Sequence, residues 1–130
     1  ILEYAIMTQN SIGGYGPLLF SDSCEDIDSV YTIAALTMDY DNKSIISLKK
    51  HLKYIFINWD HKNGGFMFRR NERFQYGDSK ILVSSKNQSN MFATWFRMLD
   101  ICYANDFLKT GYNIKFSKVP GYQFNDREQS

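Results

Sequence analysis

The chain has 130 residues, a formal net charge of +1 and 44% hydrophobic residues, values typical of one globular domain. Its 15 basic and 14 acidic side chains lack the basic surplus of a general nucleic-acid binder. No apolar stretch approaches the roughly 18 residues of a membrane span. The sequence therefore predicts neither general nucleic-acid binding nor a membrane-spanning segment.

Four segments have the apolar spacing of amphipathic helices. Residues 1–8 are predicted to be the end of a first helix, and residues 25–38, 44–58 and 89–103 are predicted to form three more. The predicted buried stripes contain Ile27, Val30, Tyr31, Ala34 and Met38 in the second helix, and Ile45, Leu48, Leu52, Ile55 and Phe56 in the third. In the fourth, one face contains Met91, Phe92, Trp95, Met98, Leu99 and Cys102, and the other contains Thr94, Arg97 and Asp100.

Two connecting segments lack a helical period. Residues 67–86 are predicted to contain a short hairpin around Gly77. After Gly111, the alternation in "YNIKFSKV" indicates a strand or an extended arm, and the final "NDREQS" is expected to be frayed.

The sequence repeats with a period of about 50 residues. The matching positions are Leu2, Tyr4, Ala5, Ile6 and Met7 in the first copy, and Leu52, Tyr54, Ile55, Phe56 and Ile57 in the second. Each copy continues to two glycines and an aromatic residue, Gly13-Gly14-Tyr15 and Gly64-Gly65-Phe66. Such a period favours a repeated helical hairpin, with repeat 1 over about 1–43, repeat 2 over about 44–110, and a tail over 111–130.

Cys24 and Cys102 are far apart and match no metal-ligand spacing. We therefore expect two free thiols and a cytoplasmic protein. Because the chain begins at Ile1 within an apparent helix, we expect it to be a piece of a longer protein.

The stretch "SDSCEDID" concentrates acidic residues at the start of the second helix. Ser23 and Asp26 fit a capping box, and Glu25 and Asp26 suit the positive end of a helix dipole. Asp28 has no such local role, so a site formed by Asp26 and Asp28 is the alternative interpretation. Helix capping is the favoured interpretation, because acidic residues are common in first turns.

The segment "GGFMFRRNERF" places Arg69, Arg70 and Arg73 beside aromatic residues. Arginines in such a loop can bind phosphate or carboxylate in a bidentate manner, although a solvated loop is favoured slightly. If the two hairpins pack side by side, this basic loop and the acidic helix start can face one cavity.

Arg97 lies on the small and polar strip of the fourth helix and has two interpretations. It either pairs with Asp100 three positions later or faces a ligand from a half-buried strip. His51 and His61 have no ligand partners at a suitable spacing, and they are expected to be ordinary surface or core residues.

The segments "QNSIGGYG", "NWDHKNGGFMF" and "DIDSVYTIAAL" resemble the repeat of the terpenoid cyclase and protein prenyltransferase superfamily. The resemblance extends over residues 1–103, and "CEDIDS" with "NMFATWFR" is similar to an unassigned bacterial branch. It implies an all-α fold of antiparallel helical hairpins, an α/α-toroid of which this chain holds about two repeats. In the cyclase motif D-x-D-D, this chain has Asp26 and Asp28 but Ser29 in place of the last aspartate.

The resemblance implies an enzyme acting on an isoprenoid-type substrate, with or without phosphate, inside a central cavity. Asp26 and Asp28 are then the candidate catalytic residues. The candidate substrate-binding residues are Glu25, Tyr31, Phe66, Arg69, Arg70, Trp95 and Arg97. No cofactor is identified and no metal ligand is assigned. The alternatives are a non-catalytic helical repeat module and a carbohydrate-active toroid fragment, and the expected partner is the rest of a longer chain or a second copy.

Overall fold

The computed structural model describes residues 1–39 and 41–111, and it is mostly helical. Its helices are α1 (Leu2–Met7), α2 (Ser23–Leu36), α3 (Asn42–Ile55) and α4 (Met91–Leu108), with a short 3-10 helix at Phe56–Asn58. The all-helical class predicted from periodicity agrees with this architecture. The strand or arm predicted after Gly111 lies outside the described residues. None of the described helices is long and apolar enough to cross a membrane.

The long connection between α3 and α4 contains the predicted hairpin. Strands β1 (Phe74–Gln75) and β2 (Val83–Ser84) pair antiparallel, with Phe74 opposite Ser84. Gly77 lies in the turn between them with a φ of 52°, a conformation that glycine adopts readily. The prediction of a short hairpin around this glycine is therefore confirmed.

The capping box of α2 is formed by different residues from those predicted. Asp22 is the N-cap, and its side chain accepts hydrogen bonds from the backbone N–H groups of Cys24 and Glu25. The Glu25 carboxylate accepts a hydrogen bond from the Asp22 N–H in return. The predicted capping box, Ser23 with Asp26, was therefore wrong by one residue toward the C-terminus. Asp26 is not part of the cap and is available for another role.

The internal repeat is visible in the backbone. Gln9 pairs with Tyr15 in an isolated antiparallel bridge, and Trp59 pairs with Phe66 in the same way. In each repeat, the bridge joins the residue before the glycine loop to the aromatic residue after it. The following helices begin alike, because Asp22 caps α2 and Asn90 caps α4, 68 positions later. Residues in α1 and α3 therefore correspond at an offset of 50, and residues in α2 and α4 correspond at an offset of 68.

Helices α2 and α4 lie side by side and run in the same direction. Asp26 contacts Arg97 near their N-terminal ends, and Tyr31 contacts Tyr103 further along, with ring centroids 5.4 Å apart. Because each glycine loop precedes one of these helices, both loops lie at the same end of the protein.

The buried face of α4 differs in part from the one that its apolar residues predicted, although Leu99 of that face is buried in the core. Met91, Trp95 and Met98 are exposed by 83%, 44% and 43%, whereas Arg97 and Asp100 are fully buried. Polar side chains can replace apolar ones in a core when they satisfy one another, and a count of apolar residues misses this.

Two other residues of the predicted stripes are also exposed, for a simpler reason. Met38 follows the last residue of α2, and Phe56 follows the last residue of α3, so the helical period no longer applies to either. The hydrophobic core that remains unites all four helices around Tyr15, Ile27, Val30, Ile33, Leu48, Phe96, Leu99 and Tyr103.

Equivalent glycines in the two loops offer a matched test of loop packing. Gly13 has a φ of 110°, and an added Cβ would lie 2.7 Å from the carbonyl oxygen of Lys50. Gly64 has a φ of 74°, and an added Cβ would meet nothing within 4 Å. We expect Gly64→Ala to cost about 1 kcal/mol and Gly13→Ala to cost about 1–3 kcal/mol more in chemical denaturation. Equal losses would show that the loop of repeat 1 moves freely away from α3.

Candidate functional site

A cluster of charged residues lies at the centre of the protein, where the two repeats meet. Asp26 on α2, His51 on α3, and Arg97 and Asp100 on α4 all have 0% exposure. Buried charges are costly unless they are paired, so each member must be accounted for by its neighbours.

Arg97 joins both glycine-loop segments to α2. Its Nη1 donates to Asp26 Oδ2 at 2.7 Å, and its Nε donates to the carbonyl oxygen of Met67 at 3.0 Å. Its Nη2 donates to the carbonyl oxygens of Ser21 at 3.2 Å and Phe68 at 2.8 Å. The guanidinium therefore directs all three of its nitrogens to protein acceptors in both repeats.

Asp26 is saturated in a similar way. Its Oδ1 accepts hydrogen bonds from the Tyr15 backbone N–H at 2.9 Å and from the Ser21 hydroxyl at 2.6 Å, while Oδ2 faces Arg97. At the equivalent place in repeat 2, the Phe66 N–H donates to the Thr94 hydroxyl at 2.9 Å. The same loop-to-helix bond thus uses a carboxylate in one repeat and a hydroxyl in the other.

His51 and Asp100 form the second half of the cluster. The His51 Nδ1 lies 3.0 Å from the carbonyl oxygen of Gly13, so it carries the proton and donates to that oxygen. Its Nε2 lies 3.5 Å from Asp100 Oδ2, longer than a normal hydrogen bond. In the described residues, neither oxygen of Asp100 nor the His51 Nε2 has a hydrogen-bond partner.

The two groups hold their protons more tightly than free side chains do. Burial raises the pKa of Asp100 to about 6, because it disfavours the charged carboxylate. Burial alone would lower the pKa of His51, but the negative charges of Asp26 and Asp100 raise it above its usual value. A proton on His51 would face the Asp100 carboxylate and leave the cluster with two positive and two negative charges.

Asp26, His51 and Asp100 are also the residues that could hold a metal ion, with one potential ligand atom from each lying within 4.8 Å of the others. The fit is poor because both oxygens of Asp26 already accept hydrogen bonds, one of them from Arg97. A divalent cation at this position would also place another positive charge beside the Arg97 guanidinium. The donor set suits a shared proton better than a metal ion.

The acidic and basic segments of the sequence do meet, but as ion pairs rather than across a cavity. Arg69 contacts Asp22 at 3.0 Å, Glu25 at 3.2 Å and Glu72 at 3.0 Å. Arg70 donates to the carbonyl oxygen of Ile57. The predicted ligand-binding residues Glu25, Arg69 and Arg70 thus bind one another or the backbone.

Asp28 is separated from Asp26, because it is exposed whereas Asp26 is buried. It lies at an open depression of about 470 Å³ together with residues of α1 and α2. The lining residues are Ile1, Tyr4, Ala5, Thr8, Asp28, Ser29 and Thr32.

The predicted aromatic lining residues also lie apart. Tyr31 is half-buried against Tyr103, and Phe66 is buried with its ring 5.0 Å from that of Trp59. Trp95 is 44% exposed and stacks on Phe96. Of the nine residues predicted for the site, the structure brings only Asp26 and Arg97 into direct contact in the centre.

Sequence reasoning missed His51 and gave Asp100 only the role of a neighbour for Arg97. The repeat alignment contains a signal for both. His51 corresponds to Ile1, Arg97 to Ser29 and Asp100 to Thr32. Repeat 2 thus has three titratable side chains at positions where repeat 1 has uncharged side chains. This difference indicates a surface of repeat 2 that is specific to the contact between the repeats.

Comparison with known proteins returned no match to a family model, a curated protein or a solved structure. The function must therefore be argued from the site itself.

Proposed function

We propose that the chain is a helical repeat module that binds other helical elements, and that its charged cluster holds its repeats together instead of performing catalysis. The placement of Asp26 and Arg97 carries this proposal: both are fully buried, and their charges are satisfied by each other and by the loops. A catalytic acid needs contact with a substrate, and these groups face only protein.

The surface supports a binding role. Helices α1 and α4 expose large apolar side chains, among them Ile1, Tyr4 and Met7 on α1 and Met91, Trp95 and Met98 on α4. Contiguous apolar side chains on a helix indicate an interaction surface more often than a solvent-facing one. The residue types fit helix packing, in which long flexible side chains fill the grooves of a neighbour.

Neutralising the two aspartates separates a structural carboxylate from a catalytic one. Asp26→Asn is expected to cost about 1.5–3 kcal/mol, since Arg97 loses a charge-assisted hydrogen bond. Asp28→Asn should change stability by less than about 0.5 kcal/mol, because Asp28 is exposed. Thermal and urea denaturation of both variants measure this. An Asp26→Asn variant more stable than the parent would indicate a carboxylate retained for function at the expense of stability, and it would overturn the proposal.

A cyclase-like activity on an isoprenoid is the second candidate. One observation favours it: Asp28 lies at an open depression of about 470 Å³ whose lining includes Ile1, Tyr4 and Ala5. A carboxylate beside apolar and aromatic side chains suits a hydrocarbon that develops positive charge. This candidate needs only Asp28 of the two predicted catalytic residues.

Titration with an isoprenoid alcohol and with its diphosphate tests the second candidate. Chemical-shift changes confined to the depression, and weakened by Tyr4→Ala, would support it. Binding to neither compound, or equal binding to a Tyr4→Ala variant, would remove it.

A further inference from the structure

The open depression on repeat 1 has a buried counterpart in repeat 2. At offsets of 50 and 68, each lining residue has a partner in the second repeat. The lining residues Ile1, Tyr4, Ala5, Thr8, Asp28, Ser29 and Thr32 correspond in turn to His51, Tyr54, Ile55, Asn58, Phe96, Arg97 and Asp100. All seven counterparts are buried, with exposures between 0% and 9%. We name the seven lining residues the front face.

Repeat 1 contacts three of these counterparts in repeat 2. His51 and Tyr54 contact the loop of repeat 1 through the carbonyl oxygens of Gly13 and Ser21, and Arg97 contacts Ser21 and Asp26. The front face of repeat 1 is therefore equivalent to the surface of repeat 2 on which repeat 1 packs.

The opposite side of the protein shows the converse relation. The exposed or half-exposed residues Met91, Thr94, Trp95, Met98 and Cys102 of α4 form what we name the rear face. They correspond in turn to Ser23, Asp26, Ile27, Val30 and Ala34 of α2, which are all buried. Ile27, Val30 and Ala34 belong to the apolar cluster that also includes Leu99 and Tyr103 of α4. Repeat 2 thus helps to cover, on α2, the positions that stay open on α4.

We propose that a second copy of this chain docks head to tail, with its rear face on the front face of the first copy. The geometry of this contact is the one with which repeat 1 packs on repeat 2 inside the chain. The inference rests on the proposed function, and it identifies the partner as the chain itself. Each copy carries both halves of the contact, so a second copy supplies what each face lacks.

The charged pair that joins the two repeats has an uncharged counterpart at the proposed interface. Inside the chain, the contact between repeats buries Asp26 of α2 against Arg97 of α4. At the head-to-tail contact, the corresponding pair is Thr94 of one copy with Ser29 of the other, and neither side chain is charged. Docking therefore leaves no unpaired charge from this set. Asp28 is the one charged residue of the front face, and its counterpart is Phe96.

Heterologous association either closes into a ring or extends as an open chain. Sedimentation of the full chain should therefore show an average mass that rises with concentration across the micromolar range. Met98→Lys on the rear face and Tyr4→Lys on the front face should each raise the dissociation constant at least about tenfold, because each places a charge in an apolar contact. Asp28→Phe, which installs the repeat 2 residue, should lower it.

Ile46→Lys is the matched control. Ile46 is 66% exposed on α3 and belongs to neither face, so this variant should associate like the parent. Circular dichroism of each variant shows whether the fold is retained.

Mixing the two disrupted variants tests the geometry directly. The Met98→Lys chain keeps an intact front face and the Tyr4→Lys chain keeps an intact rear face, so an equimolar mixture should form a 1:1 dimer that grows no further. A Tyr4→Lys chain that dimerises alone, or a parent chain that stays monomeric across this range, would overturn the inference. If the parent chain is monomeric but its Asp26→Asn variant is destabilised, the head-to-tail inference fails and the proposed function is retained. The failure of the inference and the failure of the proposed function are therefore distinguishable.

Discussion

Replacing Arg97 with methionine is expected to lower the free energy of unfolding by about 3–5 kcal/mol, the usual cost of removing one partner of a buried ion pair. Methionine fills much of the space, so the loss comes mainly from unsatisfied groups. The carboxylate of Asp26 stays buried without its counter-charge, and the carbonyl oxygens of Ser21, Met67 and Phe68 lose their donor. A domain of this size has about 5–15 kcal/mol in total, so the variant would be marginal.

Urea denaturation measures this loss, with Arg73→Met as the control. Arg73 is exposed in the loop before β1, and its substitution should stay within about 0.5 kcal/mol. The double variant Asp26→Asn/Arg97→Met should be more stable than Arg97→Met alone, because it removes both charges while the asparagine still accepts from Tyr15 and Ser21. A single Arg97→Met variant that loses under about 1 kcal/mol would contradict the assignment of Arg97 as the link between repeats.

The elements that the sequence predicted correctly depend on local chemistry. Gly77 marks the hairpin turn, and the glycine pairs mark both loops because each has a glycine at positive φ. The 50-residue period predicted a repeated hairpin, and equivalent bridges, Gln9–Tyr15 and Trp59–Phe66, close the two glycine loops. These features need only residues that are close in the chain.

The candidate site depends on contacts that are distant in the chain. Asp26 and Arg97 are 71 positions apart, and nothing in their spacing indicates that they pair. Periodicity also misled in part at α4, because Met91, Trp95 and Met98 are exposed while the buried face contains Arg97 and Asp100 beside Phe96 and Leu99. Mutual satisfaction of charges decided that orientation, and single-sequence periodicity does not contain this information.

The stability of the protein is expected to fall as the pH rises above about 4. The pKa values of Asp100 and His51 are both raised in the folded protein, Asp100 to about 6. In the unfolded chain these groups release their protons near about 3.9 and 6.5. The folded protein therefore binds more protons than the unfolded chain between these limits, so the free energy of unfolding has a negative slope against pH.

Asp60 acts in the opposite direction at lower pH. Hydrogen bonds donated by the Ser89 backbone N–H, the Asn63 side chain and nearby N–H groups lower the pKa of Asp60 below its usual value. Its contribution is present above about 4, the pKa of an unfolded aspartate, and it is lost as the pH falls further. The two effects together predict a stability maximum at about pH 4.

Urea denaturation from acidic to alkaline pH tests the role of the pair. From the maximum through the raised pKa of His51, we expect the free energy of unfolding to fall steadily, because the folded pair releases its protons at higher pH than the unfolded chain does. Asp100→Asn should flatten this alkaline limb, since it removes the buried carboxylate that retains the proton with His51. Asp28→Asn is the matched control and should leave the profile unchanged, because Asp28 is exposed outside the cluster. A stability that rises between pH 6 and 8 in the parent chain would mean that the Asp100 carboxylate is stabilised in its charged form without a proton on His51. That result would return Asp26, His51 and Asp100 to consideration as ligands for a cation.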